Sequence, residues 1–191
     1  MARCGCSGGQ QCLSANEGNL AFYDETGCLY VGQFTPDFGG LSLPVSYDLT
    51  GEAEAAWADT GLELSLPAAG TYQVTADAFA HLYAGVTDPA GTMADTLTLS
   101  VLARLWNETT SSLVTNGSFD VVAAGANRAG RYETSGGASI TRHVTASGPT
   151  LLKLQSSWTL KKVGSGTMAG TVLIPTYLAA AGSAIHYTRI G

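Results

Sequence analysis

Few residues of this chain have the type and spacing that chemistry requires. Its thiols are Cys4, Cys6, Cys12 and Cys28. A Cys-x-Cys followed by single cysteines departs from the paired Cys-x-x-Cys knuckles of tetrahedral zinc sites, so zinc stays open beside disulfides and free thiols. Disulfides would suit a protein that must persist outside a reducing cytosol. The histidines, His81, His143 and His186, fall on three separate alternating segments. A metal site would need the fold to bring two of them together; exposed or interface positions are the plainer expectation. Glu52, Glu54, Asp59 and Glu63 gather ahead of a Pro-Ala-Ala-Gly corner. A glycosidase pair is conceivable there, but such sites add aromatic platforms in a long cleft, and a solvated acidic rim is expected instead.

Other catalytic patterns fail on spacing. No Gly-x-Ser-x-Gly elbow leads into a helix. Asp88 and Asp95 do not alternate as calcium-loop ligands do. Gly136-Gly137 lacks the Lys-Ser/Thr and helix of a phosphate cradle. Asn107-Glu108-Thr109 and Asn116-Gly117-Ser118 match the glycosylation sequon but read as turn chemistry. The chain is therefore expected to be non-enzymatic, with no cofactor and no metal. Nine basic residues against fifteen acidic ones give a formal charge of -6, and the basic ones are scattered, which disfavours nucleic acid as a partner. No apolar run approaches the ~18 residues of a membrane span, and the Gly- and Cys-rich start has no secretory h-region.

The elements that would position these residues are strands. With 45% hydrophobic residues, 24 glycines and 13% charged residues, the chain is read as folded, turn-rich and low in surface charge. From Tyr72 the even positions Tyr72, Val74, Ala76, Ala78, Ala80 and Leu82 are apolar, which predicts a long strand with one buried face. Thr96 to Trp106 repeats the pattern, with Leu97, Leu99, Val101, Ala103 and Leu105 inward. Leu20 to Phe34 reads as a hairpin around Asp24-Glu25-Thr26-Gly27. Leu113–Val122, Ser139–Ala146, Thr150–Leu160, Thr171–Tyr177 and Ser183–Ile190 are further candidates, and Pro175 favours a strand end or edge. Trp57 is expected to be buried in an irregular first strand. Eight to ten strands without a helix-period segment predict an all-β antiparallel jelly-roll sandwich. Its arrangement is a Cys/Gly-rich arm (1–19), a hairpin and linker (20–54) and the sandwich (55–191).

Several strands carry apolar residues on the face that alternation leaves wet: Phe79, His81 and Tyr83 on one, Leu102 and Trp106 on another, Ile185 and Tyr187 on the last. Together they would form a patch that invites association, so a homo-oligomer packed through sheet faces or edges is expected.

The runs LPAAGTYQVTADAFAH, LSVLARLWNETT, SITRHVTASGPTLLKLQ and SAIHYTRIG follow in an order that resembles the jelly-roll domain of the complement globular head and tumour necrosis factor superfamily, in its bacterial and phage version. The resemblance covers about residues 55–191, and its motifs are structural. The start MARCGC is similar to small structural proteins of actinobacterial phages. The resemblance implies a trimer about a threefold axis, with apical loops (Gly85–Ala94 and Ala123–Gly137) available for binding. It implies a virion component assembled in the host cytoplasm, a tail, tail-tip or fibre protein held to other virion proteins through residues 1–54. A capsid decoration protein, or a module binding a receptor or host cell-surface glycan through the loops, is the alternative. With no collagen-like Gly-x-y stalk, complement-like roles are not implied.

Overall fold

In the computed structural model, which describes residues 21–23, 29–31, 37–87, 96–126, 130–163, 171–173 and 176–191, every regular element is a β-strand. The expected hairpin is present: β1 (Ala21–Tyr23) pairs antiparallel with β2 (Leu29–Val31). The remaining strands form two antiparallel sheets. The first runs β5 (Ala58–Leu66), β10 (Thr150–Val163), β7 (Thr96–Asn107), β8 (Ser112–Ala126). The second is built on β6 (Gly70–Thr87). Along one edge of β6 lies β9 (Gly130–Ala146), paired from Gly70–Ala146 to Val86–Gly130. Along the other come β13 (Ala184–Arg189), β12 (Thr176–Leu178) and β11 (Thr171–Leu173) in succession. β3 (Phe38–Ser42) flanks β13, and β4 (Tyr47–Asp48) flanks β12. This is the jelly-roll sandwich that alternation predicts. No helix among the described residues is long and apolar enough to cross a membrane.

The core lies between the sheets and is supplied by alternation. The even residues of β6 from Tyr72 to Ala84 are buried, and they meet Leu62, Leu64 and Leu66 of β5, Leu99 to Leu105 of β7, and Leu152 and Leu154 of β10. Each of the larger side chains contributes about 1.5–3 kcal/mol by leaving water. Tyr72 is fully buried because its hydroxyl donates to the Ala68 carbonyl at 3.0 Å, so the corner before β6 satisfies the one polar atom the core admits there. Its ring meets Tyr187 edge-on at 5.4 Å. At the corner, Gly70 has φ of 155°, and a Cβ on it would lie 2.7 Å from the Gly191 carbonyl oxygen. The chain end is tied there, Thr71 N donating to Gly191 O at 2.6 Å.

Three expectations need correction. β3 and β4 pair into the second sheet, so the sandwich starts at Phe38 and takes in much of the segment read as a linker. The described residues of the stretch 123–137 are strand and not apical loop: β8 continues to Ala126 and β9 begins at Gly130, which puts Gly136-Gly137 in mid-strand, while 127–129 lie outside the described residues. Their small size has a local cause, since a Cβ on Gly137 would lie 2.9 Å from the Phe79 ring and one on Gly136 would lie 3.2 Å from Val122. Trp57 is half-buried ahead of β5, outside the inter-sheet core. The strands also carry irregularities. Gly61, at φ 82°, sits where the β5–β10 register shifts, and Asn116, at φ 54°, lies where four residues of β8 (114–117) oppose Leu105 alone.

Candidate interaction face

The outward face of the β6 sheet collects the side chains that alternation turns away from the core. From β6 these are Thr75, Asp77, Phe79, His81 and Tyr83; β9 adds Glu133, Ser139, Thr141 and His143 at the paired positions. β13 adds His186, opposite Thr75, and β12 adds Tyr177, opposite His81. Phe38, paired with Thr188, and Ile190 extend the same face. Phe38, Ile190 and Tyr177 are exposed to 76%, 47% and 42%, so half of the large exposed apolar side chains among the described residues lie on this one face.

Its geometry is specific. Phe79 and His81 meet edge-to-face at 5.4 Å and 82°, and Gly182 as well as Gly137 leaves room for the Phe79 side chain. The Arg131 guanidinium lies 5.9 Å from the Tyr83 ring centre. His186 Nδ1 stands 3.7 Å from Asp77 Oδ2, and the hydroxyls of Thr75 and Thr141 hydrogen-bond at 2.9 Å across β6 and β9. His81, Tyr83, Glu133 and Tyr177 line an open depression of 310 Å³. The face is low in charge: its ionisable acids and fixed base are Asp77, Glu133 and Arg131, with Asp48 at the β4 rim.

The opposite sheet is different in kind. Arg104 of β7 is held between the rings of Trp57 and Trp106, 4.5 and 4.4 Å from their centres. Its Nε donates to Gln155 Oε1 at 2.7 Å, and Gln155 Nε2 donates to Asp59 Oδ1 at 2.7 Å. Lys153 then gathers Asp59 at 3.1 Å, Glu63 at 3.4 Å and Glu108 at 3.5 Å, while Trp106 Nε1 donates to Glu108. Burial alone would raise the Asp59 carboxyl, but hydrogen bonds from Gln155 and Lys153, with the Lys153 and Arg104 charges, hold it below the usual range. Lys153 is raised, chiefly by its hydrogen bond to Asp59. The acidic residues ahead of the corner thus have partners within the fold. Glu52 accepts the Tyr47 hydroxyl at 2.6 Å, a bond that pushes Tyr47 up to about 12, and Glu54 accepts the Leu160 amide at 3.0 Å.

The residues singled out for association therefore separate. Phe79, His81 and Tyr83 share the β6 face. Leu102 and Trp106 are half-buried on the other side of the sandwich, with Trp106 engaged by Arg104 and Glu108. Ile185 and Tyr187 were expected on the wet face and are instead core residues, 0% and 8% exposed. The phase of β13 is set by its pairing with β6, which places Ile185 beside Ala76 and Tyr187 beside Val74, both inward. Sequence reasoning missed Phe38, Tyr177 and Ile190, whose short or terminal segments give too few residues for alternation to set a phase. It also missed that all three histidines lie on one face. Cys4, Cys6, Cys12 and Cys28 lie outside the described residues, among which no cluster of metal-ligating side chains occurs. Asn107 Oδ1 accepts the Thr110 amide in the turn after β7, whereas Asn116 lies not in a turn but in the β8 bulge.

No protein-family model matches the sequence, and neither does any curated protein. Among solved structures, the chain is similar to one of infectious bursal disease virus, Gx strain, at 11% identity and a TM-score of 0.41, covering 95% of this chain and 38% of that one. It is similar to the VP2 subviral particle of the same virus at 8% identity and a TM-score of 0.33, covering 95% and 42%. With Eiger TNF from S. frugiperda the values are 9% identity and 0.27, covering 84% and 88%. The chain thus spans about two fifths of the length of those viral chains. At such identities and scores, the description of the fold rests on the strand order itself.

Proposed function

We propose that this chain is a non-enzymatic structural protein of a virus particle, and in the finer reading a tail or fibre component of a phage. Copies associate as a trimer through the outward face of the β6 sheet, and the residues ahead of β3 attach it to neighbouring virion proteins. The observation that carries the reading is that face. It is rich in aromatic and aliphatic side chains, poor in fixed charge, and lies on a jelly roll of the kind that the resemblance of residues 55–191 implies. Charge depletion with aromatic enrichment is the compositional mark of the fully buried part of a protein interface. A second copy is the occupant the face fits, because its fixed charges are few, Arg131 against Asp77 and Glu133 with Asp48 at the rim, and leave most of the face to apolar and hydroxyl groups.

The test is light scattering on the purified chain beside Phe79→Glu. The expected result is a trimer that the substitution dissociates while the circular dichroism of the strands is retained. A monodisperse monomer over the accessible concentration range refutes association, and a fully trimeric Phe79→Glu protein refutes the face. Cryo-electron microscopy of the particle separates a tail or fibre position from a capsid decoration.

A further inference from the structure

We infer that association through this face is sensitive to pH, weakening as the medium falls from mildly alkaline to mildly acidic. The inference rests on the proposed assembly. Its basis is that every histidine of the chain, His81, His143 and His186, stands on the outward face of one sheet. Histidine is the side chain whose charge ordinarily changes between pH 5 and 8, so acidification charges this surface and leaves the opposite sheet as it was.

The surroundings of each histidine decide whether the new charge is tolerated. His186 has an acceptor within its own subunit, Asp77 at 3.7 Å, and otherwise faces Thr75 of β6 and Gly40 of β3. His81 is set edge-on to the Phe79 ring, faces Tyr177 of β12 and Ser135 of β9, and shares its depression with Glu133; Asp48 of β4 lies beyond Tyr177. His143 faces Gln73 and has no carboxylate partner among the described residues; Arg142 beside it is turned to the Asn116 carbonyl. His143 therefore brings to the face a charge that its own copy does not pair, and an unpaired charge removed from water opposes association strongly.

The overall charge argues the other way, which makes the sign of the effect diagnostic. The formal charge of -6 with neutral histidines becomes -3 when all three are protonated (-6 + 3), so long-range repulsion between copies falls on acidification. If net charge governed assembly, acid would tighten it. Local desolvation at the face predicts the reverse.

Sedimentation equilibrium at pH 7.5 and pH 5.5 tests this, at fixed ionic strength, on the unaltered chain, on H81Q/H143Q/H186Q and on H143Q alone, with circular dichroism to verify folding. The expected result is a loss of association of roughly tenfold or more per pH unit for the unaltered chain, as release of one proton or more on assembly requires. The triple variant should show little change, and H143Q, which keeps the other two rings, should lose part of the dependence. An unaltered chain that is trimeric at both pH values, or tighter at pH 5.5, overturns the inference and leaves the assembly reading intact. A chain monomeric at pH 7.5 overturns both. If the triple variant fails to fold, an unaltered response in H143Q overturns the assignment to the face.

Discussion

Arg104 offers the sharpest test of how the β5–β10–β7–β8 side of the sandwich is held. It is stacked between Trp57 and Trp106 and hydrogen-bonded through Nε to Gln155. A cation over an aromatic ring is worth about 0.5–1 kcal/mol at exposed sites and more when desolvated, and here there are two rings with the guanidinium partly buried. A hydrogen bond from a charged donor adds about 1.5–3 kcal/mol. These terms overlap because one side chain makes all of them, so Arg104→Ala is expected to cost roughly 3 kcal/mol, less than the sum of their upper values. Arg104→Lys keeps the charge but loses the plane that stacks and the Nε that meets Gln155, and should cost roughly 1–2 kcal/mol.

The assay is equilibrium unfolding in urea, followed by circular dichroism at one protein concentration, because association of the folded state would otherwise shift the midpoint. Both variants should lower the midpoint at unchanged slope. Both should retain the oligomeric state, since Arg104 belongs to β7 and the proposed interface to the β6 sheet. An Arg104→Ala protein within about 0.5 kcal/mol of the parent would refute the stacked network as a stabilising device, because that is the scale of an ordinary surface substitution. Equal losses for Ala and Lys would refute the role given to the guanidinium plane.

Leu154 is fully buried between the sheets, so Leu154→Ala should cost about 2–5 kcal/mol in the same unfolding assay, with no change in the far-ultraviolet spectrum of the folded protein. Gly137→Val places a Cβ 2.9 Å from the Phe79 ring and 3.1 Å from the Ala78 carbonyl, and should lower stability by about 1–3 kcal/mol; adding Phe79→Ala should restore part of that loss, leaving only the backbone contact. The Asp59 carboxyl is held below its ordinary range, so its stabilisation is present above the unfolded carboxylate value near 4 and is lost as pH falls through the folded value. Asp59→Asn should therefore flatten the decline of unfolding free energy below about pH 4. An unchanged slope there would remove Asp59 from the acid response.

The fold was legible wherever alternation ran long enough to set a phase. β6 and β7 each repeat apolar residues at every second position across ten or so residues, and their inward sets are the buried ones. The pattern failed where segments were short or small. β13 is six residues long, with Ile185 and Tyr187 on one parity and Ile190 just beyond it on the other, and pairing with β6 set the phase that turns Ile185 and Tyr187 inward. The Ala123–Gly137 stretch read as a loop because small residues usually mark turns. Its described residues lie on paired strands, where Gly137 makes way for a ring on β6 and Gly136 for a side chain on β8. β3 and β4 are five and two residues long, too short to be recognised before their partners were known.

Candidate association residues were harder to read for a different reason. Exposure by alternation says only that a side chain leaves the inter-sheet core; it does not say whether that side chain is then used locally. Trp106 and Phe79 look equivalent in sequence, each an aromatic residue at an outward position. Trp106 has neighbours of its own, with Arg104 over its ring and Glu108 on its indole N–H, so little of its surface remains for a partner. Gln155, on the same outward surface, is only 9% exposed, which gives that sheet a small sealed layer of its own. On the β6 face Phe79 and Tyr83 have neighbours too, but Phe38, Tyr177 and Ile190 stay exposed. The two sheets differ in how their charge is arranged: one holds a lysine among three carboxylates, an arrangement water must reach, and the other holds rings, hydroxyls and imidazoles with Asp77, Glu133 and Arg131 spread among them. Burial against another copy would cost the first face the hydration of its ion network. The second, with fewer fixed charges and none gathered into such a network, would lose less. That asymmetry is why assembly is proposed for one side of the sandwich, and why the proposed pH dependence belongs to the same side.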